Sequence, residues 1–289
     1  MSSSSIIFCG TSSFAVPALE KLAKDPAFRI DLVITQPDKP VGRSQELTGS
    51  PVKVAAQQLG LTVVQPNKIN EWIRSPQSSV LSPHFLVVVS YGQILSQEVL
   101  DFPKVAPVNV HASLLPRWRG ASPMQHAILA GDRQSGVTVQ KMVKELDAGP
   151  IVAQEATTID ARETAPTLHD RLAKMGADLL VQTLKKPLKP VEQDASKVTL
   201  CGKLTREDGQ VDPMTTSAED IDRKVRALTP WPGVTGSIKG KKVKLLETAL
   251  TETPRSIALP CAEGTLYVVR VQEPGKKPMS ANDWERGLR

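Results

Sequence analysis

Cysteine is scarce and scattered. The chain holds three, Cys9, Cys201 and Cys261, far apart and with no CxxC spacing. That pattern excludes a disulfide-stapled scaffold and suggests no zinc site, so free thiols in a reducing compartment are the simplest reading. Long apolar runs are missing as well, since nothing approaches the ~20 residues that span a bilayer. The start, Met1-Ser-Ser-Ser-Ser5, has no basic segment, and Ile6 to Cys9 is too short for the apolar core of a secretory leader. A cytoplasmic location is therefore expected. Glycine-rich phosphate loops are also absent. Gly10-Thr-Ser-Ser stands at the first strand-to-helix turn, where a dinucleotide-binding chain carries GxGxxG, but only one glycine is there and no Walker A sequence occurs. This argues against NAD chemistry and P-loop chemistry.

What is present is ordinary for a globular protein. The chain has 289 residues, 40% of them hydrophobic, which suits one large or two modest domains. Its 23 prolines point to many turns, and the net charge of +6 permits a polyanionic partner without proving one.

Strand and helix patterns alternate along most of the chain. Ile6–Gly10, Ile30–Thr35, Thr62–Val64 and Phe85–Ser90 read as strands, the last a continuous apolar run suited to burial on both faces. Pro107–His111, Val137–Gln140 and Ile151–Gln154 continue the series, while Phe14–Ala23, Val52–Leu59, Pro123–Leu129 and Thr167–Leu184 have helical spacing. Alternation of this kind predicts an α/β fold built on a parallel, doubly wound sheet. Pro37–Ser50 reads as a polar loop and Lys185–Pro190 as a linker. Beyond a helix over Ala218–Leu228, short β segments at Val234–Ile238, Val243–Glu247 and Thr265–Val271 fit a small barrel or sandwich. The expected division is 1–188, a linker over 189–204, and a smaller domain over 205–289.

One constellation carries chemistry. Asn109 and His111 are two apart, so on a strand their side chains share a face. Asn supplies a neutral amide donor and His a base that titrates near neutrality. Asp147, in Glu145-Leu-Asp-Ala-Gly-Pro150, is a candidate to orient the imidazole. Base, oxyanion donor and carboxylate together suit acyl transfer. The competing reading is that His111 ends a strand and Asp147 caps a turn, and spacing alone does not decide. Lys39 and Arg43 sit in a Gly/Pro frame that suits a phosphate backbone, although a solvated surface loop is the commoner use of such a segment. Lys239, Lys241 and Lys242 are either one basic face of the tail or a charged hairpin. His126 and His169 fall within helical patterns and Trp231 between two prolines, where packing is the commoner use.

Several blocks in order resemble the methionyl-tRNA formyltransferases. They are Phe8–Ala15, Thr35–Arg43, Ser50–Val54, Val89–Leu95, Asn109–Pro123, Gly136–Thr138, Leu146–Gly149, Pro230–Pro232 and Gly275–Met279. The Ser113-Leu-Leu-Pro116 block with Arg119-Gly120 is the most specific of them. The resemblance implies a Rossmann-like formyltransferase domain followed by a shortened OB-like β-barrel that binds tRNA. It implies transfer of a formyl group from 10-formyltetrahydrofolate to methionyl initiator tRNA, with no metal, no membrane and a monomeric enzyme. By the same resemblance Asn109, His111 and Asp147 are catalytic. Tyr91, Gly92, Ile94, Leu95, Ser113, Leu114, Leu115 and Pro116 are expected at the folate, and Lys39, Arg43, Lys239, Lys241 and Lys242 at the tRNA. Ala112 departs from the glycine usual after the histidine, and Pro150 from a common aspartate.

Overall fold

The computed structural model describes residues 3–42 and 45–288. Its main element is a seven-stranded sheet. From one edge the strands are Ile151–Thr158, Gln134–Lys141, Ala106–His111, Phe85–Val89, Ser4–Gly10, Phe28–Ile34 and Val63–Val64. The five from Ala106–His111 onward pair in parallel. Their interiors are apolar because both faces are covered: every residue of Phe85–Val89 is buried, as are Ile6 to Gly10. The helix Val16–Lys24 turns Ala18, Leu19 and Leu22 inward and ends in Lys21 and Lys24, which suit the negative end of its dipole.

The chain starts in the middle of this sheet, winds to one edge and then returns to fill the other side. The reversal falls between Ser4–Gly10 and Phe85–Val89, whose carboxyl ends are joined where the Thr11 N–H donates to Ser90 O at 3.2 Å. Such reversals open a crevice at the strand ends.

The expectation of a parallel sheet is corrected at one side. Gln134–Lys141 runs antiparallel to Ala106–His111, pairing Asn109 with Gln140 and His111 with Thr138. A buried apolar run records burial, not direction, so the sequence pattern is the same either way. The Pro37–Ser50 loop contains a small hairpin of Lys39–Val41 with Glu46–Thr48. Strands of three residues, with Glu46 to Thr48 all exposed, leave no alternation to detect. The one-turn helices Ile69–Trp72, Pro76–Ser79 and Gln97–Leu100 are likewise too short for a periodic signal.

The chain divides into two compact units. The first comprises residues 1–120, 135–157 and 169–200, and the second 121–134, 158–168 and 201–289. In the second unit, the helix Ala218–Leu228 is capped by the Ser217 hydroxyl and buries Ile221, Val225 and Leu228 at helical spacing. Its antiparallel sheet runs Val234–Ile238, Lys241–Ala249, Thr265–Gln272 and Ile257–Pro260, with Met279–Ser280 added to Thr265–Gln272. The helix Ala281–Arg286 follows, capped by Ser280. Asp222, 1% exposed, accepts two hydrogen bonds from Arg162, one from Arg226 and one from the Thr248 hydroxyl. No helix among the described residues is long and apolar enough to cross a membrane.

Candidate active site

The strand Ala106–His111 places Asn109 and His111 on one face, and both are buried polar residues. Their antiparallel partners Gln140 and Thr138 share that face, so four nine-tenths-buried polar side chains form one block on the sheet. Polar groups at this depth need partners. His111 Nε2 lies 2.8 Å from the Trp118 carbonyl. A carbonyl only accepts, so Nε2 carries a proton, and in the neutral imidazole the basic nitrogen is Nδ1. That nitrogen faces Asp147 Oδ2 at 3.6 Å. The separation is longer than a hydrogen bond.

Asp147 is held by much of its surroundings. Its φ is +52°, in the left-handed region that aspartate tolerates better than most residues. The Gly120 N–H donates to Oδ2 at 2.9 Å and Gln140 Nε2 to Oδ1 at 3.0 Å. Gln193 Nε2 donates to the carbonyls of Asp147 and Gly149 at 2.8 and 2.7 Å, and its own Oε1 accepts from Arg119 Nε at 3.0 Å. Gly149 lies against the strand beside it. A Cβ there would stand 1.8 Å from the Lys141 carbonyl oxygen, so only glycine permits this approach. Gln140, Gly120 and Gln193 were not expected from the sequence. Gln140 lies on a strand that also carries Gln134, Ser135, Thr138 and Lys141, so nothing in the pattern singles it out.

Ser113 to Pro116 form a self-bonded turn after His111. The Ser113 hydroxyl donates to Arg117 O and the Thr138 hydroxyl to Ser113 O, both at 2.6 Å. Thr138 Oγ1 also accepts the Leu115 N–H at 3.1 Å, and Gln154 Nε2 donates to Leu115 O at 2.8 Å. Leu114 packs where a Cβ on Gly136 would stand 2.6 Å from its Cδ2.

A cavity of about 200 Å³ opens beside the block, lined by Leu95, Leu100, Met142 and Leu146 and reaching Gln140 and Asp147. Ile94 also lines it and is exposed, whereas none of Ser113 to Pro116 does. Gly92, at φ +84°, lets Gln36 Nε2 reach the Tyr91 carbonyl at 2.8 Å, and a Cβ on it would collide with that nitrogen. Tyr91 is 2% exposed and belongs to the apolar cluster that includes Cys9. Burial raises the Tyr91 phenol and the Cys9 thiol above their ordinary ranges. The Tyr91 hydroxyl and Gln140 Oε1 are both buried without a partner among the described residues.

Lys39 is exposed and donates to Gln36 Oε1 at 2.6 Å. Arg43 lies outside the described residues. Lys241 and Lys242 are exposed at the start of their strand, and Lys239 pairs with Glu285. Trp231, for which packing was the commoner reading, is 58% exposed. Among the described residues no group of three or more His, Cys, Asp or Glu is placed to hold a metal ion.

Comparison with known proteins bears on this geometry. Residues 4–184 match the family model of the formyl transferases and residues 203–289 that of the formyl transferase C-terminal domain. A methionyl-tRNA formyltransferase of Gluconobacter oxydans is 42% identical over 98% of this chain and 96% of its own length. Among solved structures, an N-formyltransferase from Helicobacter canadensis in complex with folinic acid and dTDP-3-aminofucose aligns with a TM-score of 0.70. It has 18% identity and covers 94% of this chain and all of the other. HypX from Aquifex aeolicus aligns at TM-score 0.68 and 18% identity over 99% of this chain, which spans 48% of HypX.

Proposed function

The chain belongs to the formyl transferase family and within it to the methionyl-tRNA formyltransferases, and on that premise we propose that Asn109, His111 and Asp147 carry formyl transfer from 10-formyltetrahydrofolate to the amino group of methionyl initiator tRNA. The observation that carries this reading is the approach of His111 Nδ1 to Asp147 Oδ2 at the edge of a cavity that Asp147 and Gln140 also line.

The cavity suits one end of the folate carrier. Its volume of about 200 Å³ is below the ~300–1,000 Å³ of pockets that enclose a whole drug-sized ligand. Leu95, Leu100 and Met142 provide apolar walls for a flat ring, with Gln93 as a polar group. When bound, the carrier supplies an activated formyl group. We assign Ile94 and Leu95 to direct contact. Tyr91 and Gly92 support the loop that presents them, and the Ser113–Pro116 turn holds His111 and Leu115 in place.

The amine must be neutral to attack. His111 Nδ1 receives the proton it releases, while Nε2–H stays on the Trp118 carbonyl. The imidazolium so formed faces Asp147, whose charge favours it, and holds the proton that the carrier's nitrogen would take as its bond to the formyl carbon breaks, which returns His111 to its neutral form. The Asn109 amide donates to the formyl oxygen as negative charge develops there. Lys39, Arg43, Lys239, Lys241 and Lys242 are assigned to the tRNA backbone. One chain carries the whole trio, so a monomer in the cytoplasm suffices.

The test is a formylation assay with purified protein, 10-formyltetrahydrofolate and either charged initiator tRNA or an amino-sugar nucleotide. Formyl-methionyl-tRNA is the expected product. Activity on the sugar nucleotide alone overturns the reading.

A further inference from the structure

Gln140 is 2% exposed and stands directly across the sheet from Asn109. Its amide makes one hydrogen bond among the described residues, from Nε2 to Asp147 Oδ1 at 3.0 Å, while Oε1 is buried without a partner. A residue kept for stability would have both ends of its amide satisfied. Turning the amide over would aim Oε1 at the carboxylate and lose the one bond it has. The arrangement makes sense if the orientation of Asp147 matters more than full pairing of Gln140.

We propose that Gln140 is a positioning residue for formyl transfer, fixing the Asp147 carboxylate against His111. The two oxygens of Asp147 are held from different elements: Oδ2 by the Gly120 N–H and Oδ1 by Gln140. With both held, the carboxylate cannot rotate about its terminal bond, and Oδ2 stays directed at Nδ1. Without Gln140 one constraint remains and the carboxylate turns about it. Nδ1 then loses its fixed counter-charge at the moment it takes a proton. The effect belongs to the step in which charge forms, not to the binding of either substrate. This rests on the assignment of Asn109, His111 and Asp147 made above.

The experiment compares Gln140→Met, Asp147→Asn and the double variant in steady-state formylation of methionyl-tRNA, together with thermal melts. Methionine keeps the length and removes the donor. The expected result for Gln140→Met is a kcat lowered ~10–100-fold, the range for a hydrogen bond to a charged group. KM for both substrates stays within about twofold, and Tm shifts little, since the loss of the unpaired Gln140 acceptor offsets the lost donor to Asp147. The double variant loses no more than Asp147→Asn alone, because Gln140 acts through Asp147. Full kcat in Gln140→Met, with Asp147→Asn crippled, overturns this proposal and leaves the trio standing. A raised KM at constant kcat overturns it too, making Gln140 a binding residue, as does a loss of kcat that follows a fall in Tm. Full activity in Asp147→Asn instead removes the trio reading on which the proposal rests.

Discussion

The Gly120 backbone N–H and the Asp147 carboxylate, 27 residues apart, meet in a 2.9 Å hydrogen bond on Oδ2, the oxygen that also faces His111. The carboxylate is therefore solvated by the protein before the imidazole is charged. A carboxylate so held stays directed at the imidazole, which is what a base needs from its counter-ion.

Replacing His111 by alanine is expected to lower kcat at least ~10²-fold, the lower end for a general base. Asn109→Ala is expected to lose about 10²–10³-fold, as when one oxyanion donor is removed. Rapid-quench formylation at saturating substrates measures both. Full rate in either variant rules out that residue's role.

Gly149→Ala would drive a methyl group into the Lys141 carbonyl. The segment bearing Asp147 must then move off the strand. We expect formylation to fall more than ~10-fold, since small displacements of catalytic groups are costly, and stability to fall by about 1–3 kcal/mol, as for overpacking. Urea unfolding and the activity assay check this, and wild-type behaviour in both would show that the loop accommodates a side chain.

Asp222→Ala should be among the most destabilising single changes in the second unit. It leaves Arg162 and Arg226 facing a buried site without their counter-charge. Breaking a buried pair costs about 3–5 kcal/mol, and the half-exposed Arg162 places the expectation near the lower figure. Denaturant unfolding reads it directly; a change below ~1 kcal/mol would mean that water replaces the carboxylate.

Alkaline pH should weaken the fold through Cys9 and Tyr91. Burial raises both above their unfolded values. Between the unfolded and folded values the native state binds more protons than the unfolded chain, so stability falls with rising pH. The decline begins near the unfolded thiol value of ~8.5 and steepens near ~10, where an unfolded tyrosine ionises. Melts from pH 7 to 11 should show it, and Cys9→Ala should flatten its first part.

Changing Lys239, Lys241 and Lys242 together to alanine should raise KM for tRNA and leave KM for the folate unchanged. If these residues meet phosphates, the slope of log affinity against log salt falls by about 0.7–0.9 for each phosphate no longer neutralised. An unaltered slope would make them ordinary surface lysines.

The site was legible in the sequence to the extent that it depends on local spacing. Asn109 and His111 share a face because strand side chains alternate, and that follows from their positions alone. What holds Asp147 was not legible, because it comes from a backbone N–H at Gly120, a strand partner at Gln140 and a residue at Gln193 within the expected linker. None of these is near Asp147 in a readable period. The antiparallel pairing that brings Gln140 beside Asn109 was hidden for the same reason, since the direction of a buried strand leaves no mark on its composition. The Ser113–Pro116 block comes from resemblance; the Ser113 hydroxyl and the Leu115 backbone tie it to its surroundings, and none of the four lines the cavity. Past residue 250 the strands Ile257–Pro260 and Met279–Ser280 are four and two residues long, too short to leave an alternation in the sequence.

The interleaving of the two units bears on how such a chain is inherited. Residues 121–134 and 158–168 lie early in the chain yet belong with residues 201–289. The Arg162–Asp222 pair is one of the bonds that join them. A gene fragment ending at residue 200 would encode Ala127 and Ile128 without the neighbours that bury them, and Arg162 without its carboxylate. The C-terminal portion thus packs with stretches that a cut at residue 200 would leave behind. It must vary in step with two short stretches of the catalytic half, and grafting a foreign tail onto this enzyme requires transplanting those stretches as well.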